Sequence, residues 1–157
     1  MIYIFADLDG TLIDSRAGQH LIDKKDFDEF SNRTDEYPAF EDNCNVIRMA
    51  RASSVKDEKK ILVIFTAREE KWRDQTVAWL NQHNIPYDHL MMRKTGDART
   101  DVAVKEENFI MNFGNKNVWF VLEDRDDCVS MWRQYKLTCL QMGVSNSQEK
   151  QWKNLKS

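Results

Sequence analysis

The chain has 157 residues, of which 41% are hydrophobic and 31% are charged, with a formal net charge of −3. A chain of this length predicts one domain that buries about 70% of the surface its unfolded form exposes. The negative net charge argues against a general nucleic-acid coat protein, which is usually basic, but leaves room for a locally basic groove.

Short apolar runs alternate with amphipathic stretches, a pattern typical of a parallel sheet with crossover helices. The predicted strands are Ile2–Ala6, Ile61–Phe65, Tyr87–Met92, Val118–Leu122 and Leu137–Met142. The predicted helices are Cys44–Val55, Glu70–His83, Val102–Asn112 and Asp126–Gln134. One apolar helix face, which we expect to pack on the sheet rather than to stack nucleotides, contains Trp72, Thr76, Trp79 and Leu80. The sequence therefore predicts an α/β protein with a five-stranded parallel sheet.

Two stretches fall outside this alternation. Ile13–Asp42 has weak periodicity and high charge, and predicts a small insertion after the first strand. A partial lid and a solvated surface excursion fit this segment equally well. The polar tail, residues 143–157, is expected to fray, although Trp152 and Leu155 could dock one last turn. The folded domain is therefore expected to span residues 1–142.

The cysteines and the N-terminus bear on the compartment. Cys44, Cys128 and Cys139 are odd in number and have no Cys-x-x-Cys spacing, which fits a reducing compartment. No basic segment precedes the first apolar run, and no apolar stretch reaches membrane-spanning length. We therefore expect a cytoplasmic protein with no signal peptide and no membrane partner.

Two carboxylates directly follow the first predicted strand, in the run Asp7-Leu8-Asp9-Gly10-Thr11. The carboxyl ends of parallel strands are where open α/β sheets bind ligands. Two acids placed there would repel each other without a cation, and carboxylate oxygens suit a hard metal ion. The arrangement predicts a metal site in which one carboxylate is a nucleophile and the other a proton donor.

Polar residues also follow the second and fourth predicted strands. Thr66 could hold a phosphate oxygen or cap the next helix, and both interpretations stay open. The run from Glu123 to Asp127 contains four acids and one arginine, a costly cluster without a cation. We assign Asp124 to the metal and expect Asp126 or Asp127 to cap the helix that follows.

A basic stretch follows the third predicted strand. From Arg93 to Lys105 the sequence has four basic and two acidic residues, so the stretch is predicted to be a positive patch. Lys105 could neutralise a phosphate and hold the carboxylate nucleophile in place. A single helix lysine is more often solvated, and this alternative stays open.

Together these features resemble the haloacid dehalogenase (HAD) superfamily of phosphotransferases. Its four motifs are matched in order by Asp7-Leu8-Asp9-Gly10-Thr11, Thr66, Lys105 and Glu123-Asp124. The resemblance covers residues 2–142 and implies the HAD fold, a Rossmann-like three-layer sandwich, with a small or absent cap. It also implies a magnesium-dependent phosphatase.

A narrower resemblance is to the 3′-phosphatase domain of bacteriophage-type polynucleotide kinase/phosphatases. It rests on three patterns: Arg93-x-x-Gly96-Asp97-x-Arg99-x-Asp101-x-x-Val104-Lys105-Glu106-Glu107, Thr66-x-Arg68, and Asp124-Arg125 followed by Val129-x-Met131-Trp132-Arg133. It implies contacts to the substrate phosphate or active-site loop from Gly10, Thr11, Arg68, Arg93 and Arg125. The chain departs from that family in lacking a kinase domain, in a longer Ile13–Lys60 segment, and in having Glu123 where aspartate is commoner.

The resemblance also assigns roles in the reaction. Asp7 would attack phosphorus to form an aspartyl-phosphate, and Asp9 would act as the acid and base. Mg²⁺ would be held by Asp7, by the Asp9 carbonyl and by Asp124. Thr66 and Lys105 would hold the transferred phosphoryl oxygens.

Three functions follow from these residues. The first is Mg²⁺-dependent removal of the 3′-phosphate from DNA or RNA ends, which the Arg93–Lys105 stretch favours. The second is the same chemistry on nucleoside monophosphates or other small phosphomonoesters, which the negative net charge favours. The third is a non-catalytic phosphate- or nucleic-acid-binding domain, the least expected because no motif residue is missing.

Overall fold

The structure, a computed structural model, describes residues 1–55 and 58–143. The strands are β1 (Ile2–Asp7), β2 (Lys60–Glu69), β3 (His89–Arg93), β4 (Val118–Glu123) and β5 (Cys139–Gln141). The helices are α1 (Gln19–Asp23), α2 (Phe27–Asn32), α3 (Glu41–Ala52), α4 (Arg73–Gln82), α5 (Asp101–Phe113) and α6 (Asp126–Gln134). Within these described ranges no helix has the length and apolar character needed to cross a bilayer. The expectations for Trp152, Leu155 and the tail beyond residue 143 lie outside the described residues.

All five strands are parallel, in the order β3-β2-β1-β4-β5. The central strand β1 pairs with β2 as far as Asp7 opposite Phe65, and with β4 as far as Ala6 opposite Leu122. The predicted five-stranded parallel sheet is therefore confirmed. Because β1, β2 and β4 are neighbours and parallel, the residues at their carboxyl ends meet at one edge of the sheet.

Each face of the sheet packs against its own helices, since alternate side chains of a strand point to opposite faces. One face packs on α3 and α4 through a cluster that includes Ile4, Leu62, Ile64, Ile47, Trp79 and Leu80. The other packs on α5 and α6 through a cluster that includes Phe5, Val63, Phe65, Phe109, Phe113 and Trp132. The three-layer sandwich is thus confirmed.

The predicted apolar face of α4 is buried at Thr76, Trp79 and Leu80 but not at Trp72. The helix begins at Arg73, and Trp72 ends a preceding 3₁₀ turn, so this tryptophan is out of the helical register. It is half-buried. Its indole N–H donates a hydrogen bond to Asp28 Oδ1 at 3.3 Å. The expectation that Trp72 is a core residue is wrong for this reason.

Residues 13–42, predicted to be an insertion, run into the first turn of α3, and the part that precedes this helix forms two short helices and two 3₁₀ turns. Its inner side chains Leu21, Phe30 and Tyr37 join the apolar cluster of α3 and α4. Trp79 of α4 donates a hydrogen bond from Nε1 to the Tyr37 carbonyl at 2.8 Å. The high charge seen in the sequence lies on the outer side, so the segment packs on the domain while its surface stays solvated.

Candidate active site

Asp7 is the last residue of β1, at the centre of the sheet edge, and is 6% exposed. Its Oδ1 accepts a hydrogen bond from Lys105 Nζ at 2.6 Å. Its Oδ2 is buried and has no hydrogen-bond partner within residues 1–55 and 58–143. Burial raises the pKa of Asp7 well above its usual range; Lys105 opposes this, and the nearby carboxylates of Glu123 and Asp124 add to it. A buried carboxylate oxygen normally has a hydrogen-bond partner. A bound metal ion or a reacting phosphorus atom would provide a partner for Asp7 Oδ2.

Lys105 lies in α5 and is only 2% exposed. The helix begins after Thr100, whose Oγ1 accepts a hydrogen bond from the Ala103 amide at 3.3 Å. This start places the Lys105 ammonium between two carboxylates, 2.6 Å from Asp7 Oδ1 and 2.7 Å from Glu123 Oε2. Burial opposes its charge, but these two carboxylates outweigh burial and raise the pKa of Lys105. The lysine is therefore a buried cation and not a solvated helix residue.

Glu123, the last residue of β4, is missing from the predicted site residues although it is only 1% exposed. Its Oε2 accepts hydrogen bonds from Lys105 Nζ at 2.7 Å and from Trp132 Nε1 at 3.4 Å. Its Oε1 accepts from the Arg125 amide at 3.4 Å. A lysine buried beside an aspartate needs hydrogen-bonding partners of opposite charge, and Glu123 is the second such partner of Lys105. The two adjacent acids Glu123 and Asp124 at the end of β4 were the sequence feature that could have indicated this role.

Asp124, the residue assigned to the metal, lies against the loop that follows β1. Its Oδ1 accepts a hydrogen bond from Thr11 Oγ1 at 3.2 Å. Gly10 has φ of +85°, and a Cβ built on it would lie 2.8 Å from Asp124 Cγ. Burial, with a further contribution from Glu123, raises the pKa of Asp124 to about 6. The structure thus places Gly10 and Thr11 in contact with Asp124, and their contact with substrate stays a prediction.

Three side chains at this edge could share a metal ion. Oxygens of Asp7, Glu123 and Asp124 all lie within 4.8 Å of one another. Since Glu123 already binds the buried lysine, Asp7 and Asp124 offer the oxygens available to a cation. An all-oxygen donor set with an unpaired buried carboxylate oxygen fits Mg²⁺. The Asp9 carboxylate is not among these three, and the contribution of the Asp9 main-chain carbonyl to the metal stays a prediction.

The carboxylate of Asp9 is held by Arg68. The guanidinium donates from Nε to Oδ2 and from Nη2 to Oδ1, both at 2.7 Å. The Arg68 side chain is 2% exposed and that of Asp9 is 23% exposed. Burial opposes the charge of Arg68, but Asp9 outweighs burial and raises the pKa of the guanidinium. Arg68, expected to contact phosphate, therefore contacts the second aspartate of the first motif in this structure.

Thr66 lies within β2, which continues to Glu69, and its side chain is buried. The β2–β3 pairing shifts register after Phe65, at the point where the strand passes the sheet edge. Thr66 Oγ1 accepts a hydrogen bond from the Arg68 amide at 3.2 Å. The N-cap of α4 is Trp72, so the alternative that Thr66 caps this helix is wrong.

Arg93 and Arg125 are tied together by Asp101, the first residue of α5. Asp101 Oδ1 accepts from Arg93 Nη2 at 2.6 Å, and its Oδ2 accepts from Arg125 Nη1 at 2.7 Å. Arg93 also donates to the carbonyls of Asp97 and Arg99, at 2.9 and 2.6 Å. Both arginines therefore shape the loops around the site. Asp101, like Glu123, was not predicted to be a site residue.

The predicted positive patch between Arg93 and Lys105 is wrong as a surface feature. Arg93 pairs with Asp101, and Lys105 is buried. Arg99 pairs with Asp97 and Glu107, each at 2.7 Å. The count of four basic and two acidic residues already contains Asp97 and Asp101. It could not reveal that Lys105 is buried against Asp7 and Glu123, or that Arg99 also pairs with Glu107.

The start of α6 also differs from expectation. Its N-cap is Arg125, which makes no side-chain capping bond, while Asp126 and Asp127 lie in the first turn. The prediction that one of these acids is the cap is therefore wrong in position. Asp127 Oδ1 accepts a hydrogen bond from the Cys128 amide at 2.9 Å, and negative charge in a first turn still favours the helix dipole.

The chain is similar to a known protein family and to several solved structures. A family model described as the polynucleotide kinase PNKP phosphatase domain matches residues 2–146. A search of curated proteins finds no match. Chains from two structures of Pnkp1/Rnl/Hen1 complexes, one described as an RNA repair complex, are 29% and 30% identical with TM-scores of 0.75 and 0.73. The matches cover 92% and 89% of this chain but 43% and 45% of those chains, so it spans less than half of their length.

More distant structures share the fold. A haloacid dehalogenase-like hydrolase from Streptococcus pneumoniae is 16% identical, with a TM-score of 0.61, over 91% of this chain and 85% of that one. A "predicted phosphatase" from Clostridium acetobutylicum is 19% identical, with a TM-score of 0.60, over 96% and 89%. With the five-stranded parallel sheet, these similarities confirm the HAD fold.

Proposed function

Since the chain belongs to the family of polynucleotide kinase PNKP phosphatase domains, we propose that it removes the 3′-phosphate from polynucleotide ends in a Mg²⁺-dependent reaction. The observation that carries this proposal is the Asp7 carboxylate. One of its oxygens is fixed by Lys105, and the other is buried with no partner in the described part of the chain. A carboxylate held in this way can present one oxygen to an incoming phosphorus.

In the first step Asp7 Oδ2 forms a bond to phosphorus, and the bond from phosphorus to the sugar 3′-oxygen breaks. Asp9 enters this step protonated on one oxygen, with the other still bound to Arg68, and gives its proton to the departing oxygen, so that a neutral hydroxyl leaves instead of an alkoxide. The ion pair in which Arg68 holds both Asp9 oxygens is the state of Asp9 after this transfer. The Lys105 ammonium lowers the repulsion between the aspartate and the phosphate dianion. The product of this step is an aspartyl-phosphate on Asp7.

In the second step Asp9, now ionised, removes a proton from a water molecule that attacks the aspartyl-phosphate. The bond between phosphorus and Asp7 breaks, inorganic phosphate leaves, and both carboxylates return to their starting states. Thr66, whose hydroxyl can donate to a phosphoryl oxygen, and Lys105 hold the transferred group in both steps.

Asp7, Asp124 and the Asp9 carbonyl are the groups that would hold Mg²⁺. When bound, the ion supplies positive charge between the carboxylates and the phosphate. The all-oxygen donor set at this edge of the sheet supports this assignment.

A second candidate is a phosphatase of the same chemistry that acts on mononucleotides. The observation in its favour is that Arg93, Arg99 and Arg125 are all paired with acids, which leaves fewer cations for a long phosphate backbone. The family match and the similarity to chains from an RNA repair complex favour polynucleotide ends, of DNA or RNA.

The test is phosphate release from three substrates: a 3′-phosphorylated oligonucleotide, its 5′-phosphorylated counterpart and a 3′-nucleotide. We expect release chiefly from the first, and loss of release in EDTA. Equal rates on the oligonucleotide and the nucleotide would favour the second candidate, and no release from any substrate would favour a non-catalytic domain.

The matched variants for this assay are Asp7→Asn and Asp74→Asn. Asp74 is exposed in the first turn of α4, outside the site, so its variant should behave as the wild type. Asp7→Asn should retain its fold by circular dichroism and lose turnover, because an amide is a poor nucleophile. Full activity in purified Asp7→Asn would refute the assignment of the nucleophile.

A further inference from the structure

The guanidinium of Arg68 is enclosed on the side away from Asp9 by residues of the segment that precedes α3. Thr34 Oγ1 accepts a hydrogen bond from Arg68 Nη1. The Phe30 ring lies under the guanidinium, with its centroid 5.3 Å from Cζ. Arg68 therefore has Asp9 on one side and this pair of side chains on the other.

The Thr34 hydroxyl is itself held in a fixed orientation. Thr34 is fully buried, and its Oγ1 donates a hydrogen bond to the Ser31 carbonyl at 2.5 Å. Because the hydrogen of this hydroxyl is used, a lone pair is left to accept from Arg68. Thr34 thus fixes where one nitrogen of the guanidinium lies.

Phe30 is fixed in turn by contacts to the rest of the domain. Its ring lies 5.2 Å from that of Tyr37, centroid to centroid. The Tyr37 carbonyl accepts from Trp79 Nε1 at 2.8 Å, which ties the segment to α4. Phe30 and Tyr37 are 5% and 3% exposed, so these contacts are shielded from water.

We propose that residues 13–42 form a brace for the acid–base group of the reaction. In this brace Thr34 and Phe30 are positioning residues that hold Arg68, and Arg68 holds both oxygens of Asp9. A bidentate arginine–carboxylate pair fixes the direction of the carboxylate as well as its position. The inference rests on the proposed function, in which Asp9 transfers the proton.

If Thr34 and Phe30 position Asp9, their loss should affect activity differently on different substrates, which a purely structural role does not predict. Proton transfer to the leaving oxygen matters most when that oxygen is a poor leaving group, such as a sugar hydroxyl. It matters little for p-nitrophenolate, which leaves readily without a proton. A variant that misplaces Asp9 should therefore lose more activity on a sugar phosphate than on p-nitrophenyl phosphate.

The experiment compares Thr34→Val, Thr34→Ser and Thr76→Val. Valine keeps the shape of threonine and removes the hydroxyl, whereas serine keeps the hydroxyl. Thr76 is the matched control, because it is also fully buried and its Oγ1 donates to a carbonyl, that of Trp72, at 2.8 Å. For each protein kcat/KM is measured on a 3′-phosphorylated oligonucleotide and on p-nitrophenyl phosphate.

We expect Thr34→Val to lose about 10-fold in kcat/KM on the oligonucleotide and less than about 3-fold on p-nitrophenyl phosphate. The loss of about 10-fold is smaller than the whole contribution of a general acid, because Asp9 is misplaced and not removed. Thr34→Ser should stay within about 2-fold of the wild type on both, since its hydroxyl can still accept from Arg68. Thr76→Val should show no difference between the substrates.

Two results would overturn the inference: equal losses of Thr34→Val on the two substrates, or wild-type activity on the oligonucleotide. If Thr34→Val does not fold, Phe30→Leu replaces it, and the same preferential loss on the oligonucleotide is expected. A wild-type protein that releases phosphate from neither substrate would overturn the proposed function itself, and the brace with it.

Discussion

Replacing Lys105 by methionine removes the only charge that separates two buried carboxylates in the described site. The lysine ammonium lies 2.6 Å from Asp7 Oδ1 and 2.7 Å from Glu123 Oε2, and each of the three residues is at most 6% exposed. Methionine has a similar length and fills irregular space, so the volume lost is small. The perturbation is therefore mainly electrostatic.

The expected loss in stability is large. Removing one partner of a buried ion pair costs about 3–5 kcal/mol, because the other charge is left uncompensated. A change of shape alone would cost less than about 1.5 kcal/mol. We therefore expect Lys105→Met to lower the free energy of unfolding by about 4 kcal/mol, a large share of the about 5–15 kcal/mol typical of a domain.

Urea denaturation followed by circular dichroism measures this loss. With a slope of about 2 kcal/mol/M, the midpoint should fall by about 2 M. Mg²⁺ should restore more stability to Lys105→Met than it adds to the wild type, since the ion would also bind Asp7, one of the two carboxylates that lose their counter-charge. Turnover should fall by about 10²- to 10³-fold even with Mg²⁺, because a positive group beside the reacting phosphate is lost.

Lys60→Met is the matched control. Lys60 is also buried, but its Nζ donates to the carbonyls of Ser53 and Glu58, at 2.6 and 3.3 Å, and not to the site carboxylates. Its response to Mg²⁺ should equal that of the wild type. A loss below about 1 kcal/mol in Lys105→Met, or the same Mg²⁺ response in both variants, would refute the reasoning.

Three further variants test other parts of the structure. Gly10→Ala should raise the Mg²⁺ concentration needed for half-maximal activity at least about 10-fold. Gly10 has φ of +85°, and Asp124 lies so close that a Cβ would collide with it. An unchanged Mg²⁺ requirement would contradict this. Partial burial alone would raise the pKa of Asp88, but hydrogen bonds from Arg51 and a main-chain amide outweigh burial and lower that pKa. The Arg51–Asp88 pair therefore stabilises the fold above about pH 4, and this stabilisation is lost as the pH falls. Urea midpoints of Asp88→Asn should accordingly depend less steeply on pH between about 5 and 3, with a loss of roughly 1 kcal/mol near neutral pH. Tyr37→Phe should keep or raise stability by up to about 1 kcal/mol, because its buried hydroxyl has no partner among the described residues, and a clear loss would reveal a partner.

The layers of the fold could be predicted because they depend on periodicity. The predicted strand Ile2–Ala6 lacks only Asp7 of the central strand β1, and the later apolar runs correspond to the other four strands. The predicted bounds are shifted where structure continues beyond the apolar residues. The strand that contains Thr66 extends to Glu69, because polar residues pair as it passes the sheet edge.

The site was harder to predict, since its contacts join residues that are far apart in the chain. Asp7, Thr66 and Asp124 could be proposed because each follows an apolar run, and strand ends meet at one edge. Asp101 and Glu123 were missed because their roles depend on which cations they contact. The basic residues that follow β3 were predicted to form a positive surface for the same reason. The sequence does not show that Arg93 and Arg99 pair with nearby acids.

The contacts made by the segment of residues 13–42 could not be predicted from the sequence either. Its charge and weak periodicity describe its outer side, which is solvated. The contacts of Phe30 and Thr34 with Arg68 depend on a packing arrangement that no local pattern encodes. Only the structure connects this segment with Asp9, through a side chain of a different strand.

The most direct test of the account is to trap the reaction intermediate. The protein is mixed with an oligonucleotide that carries a radiolabelled 3′-phosphate, the reaction is quenched with acid within one turnover, and labelled peptides are mapped. We predict a transient label on Asp7 that is absent from Asp7→Asn. Labelled phosphate released without any label on the protein, or a label on another residue, would contradict the account.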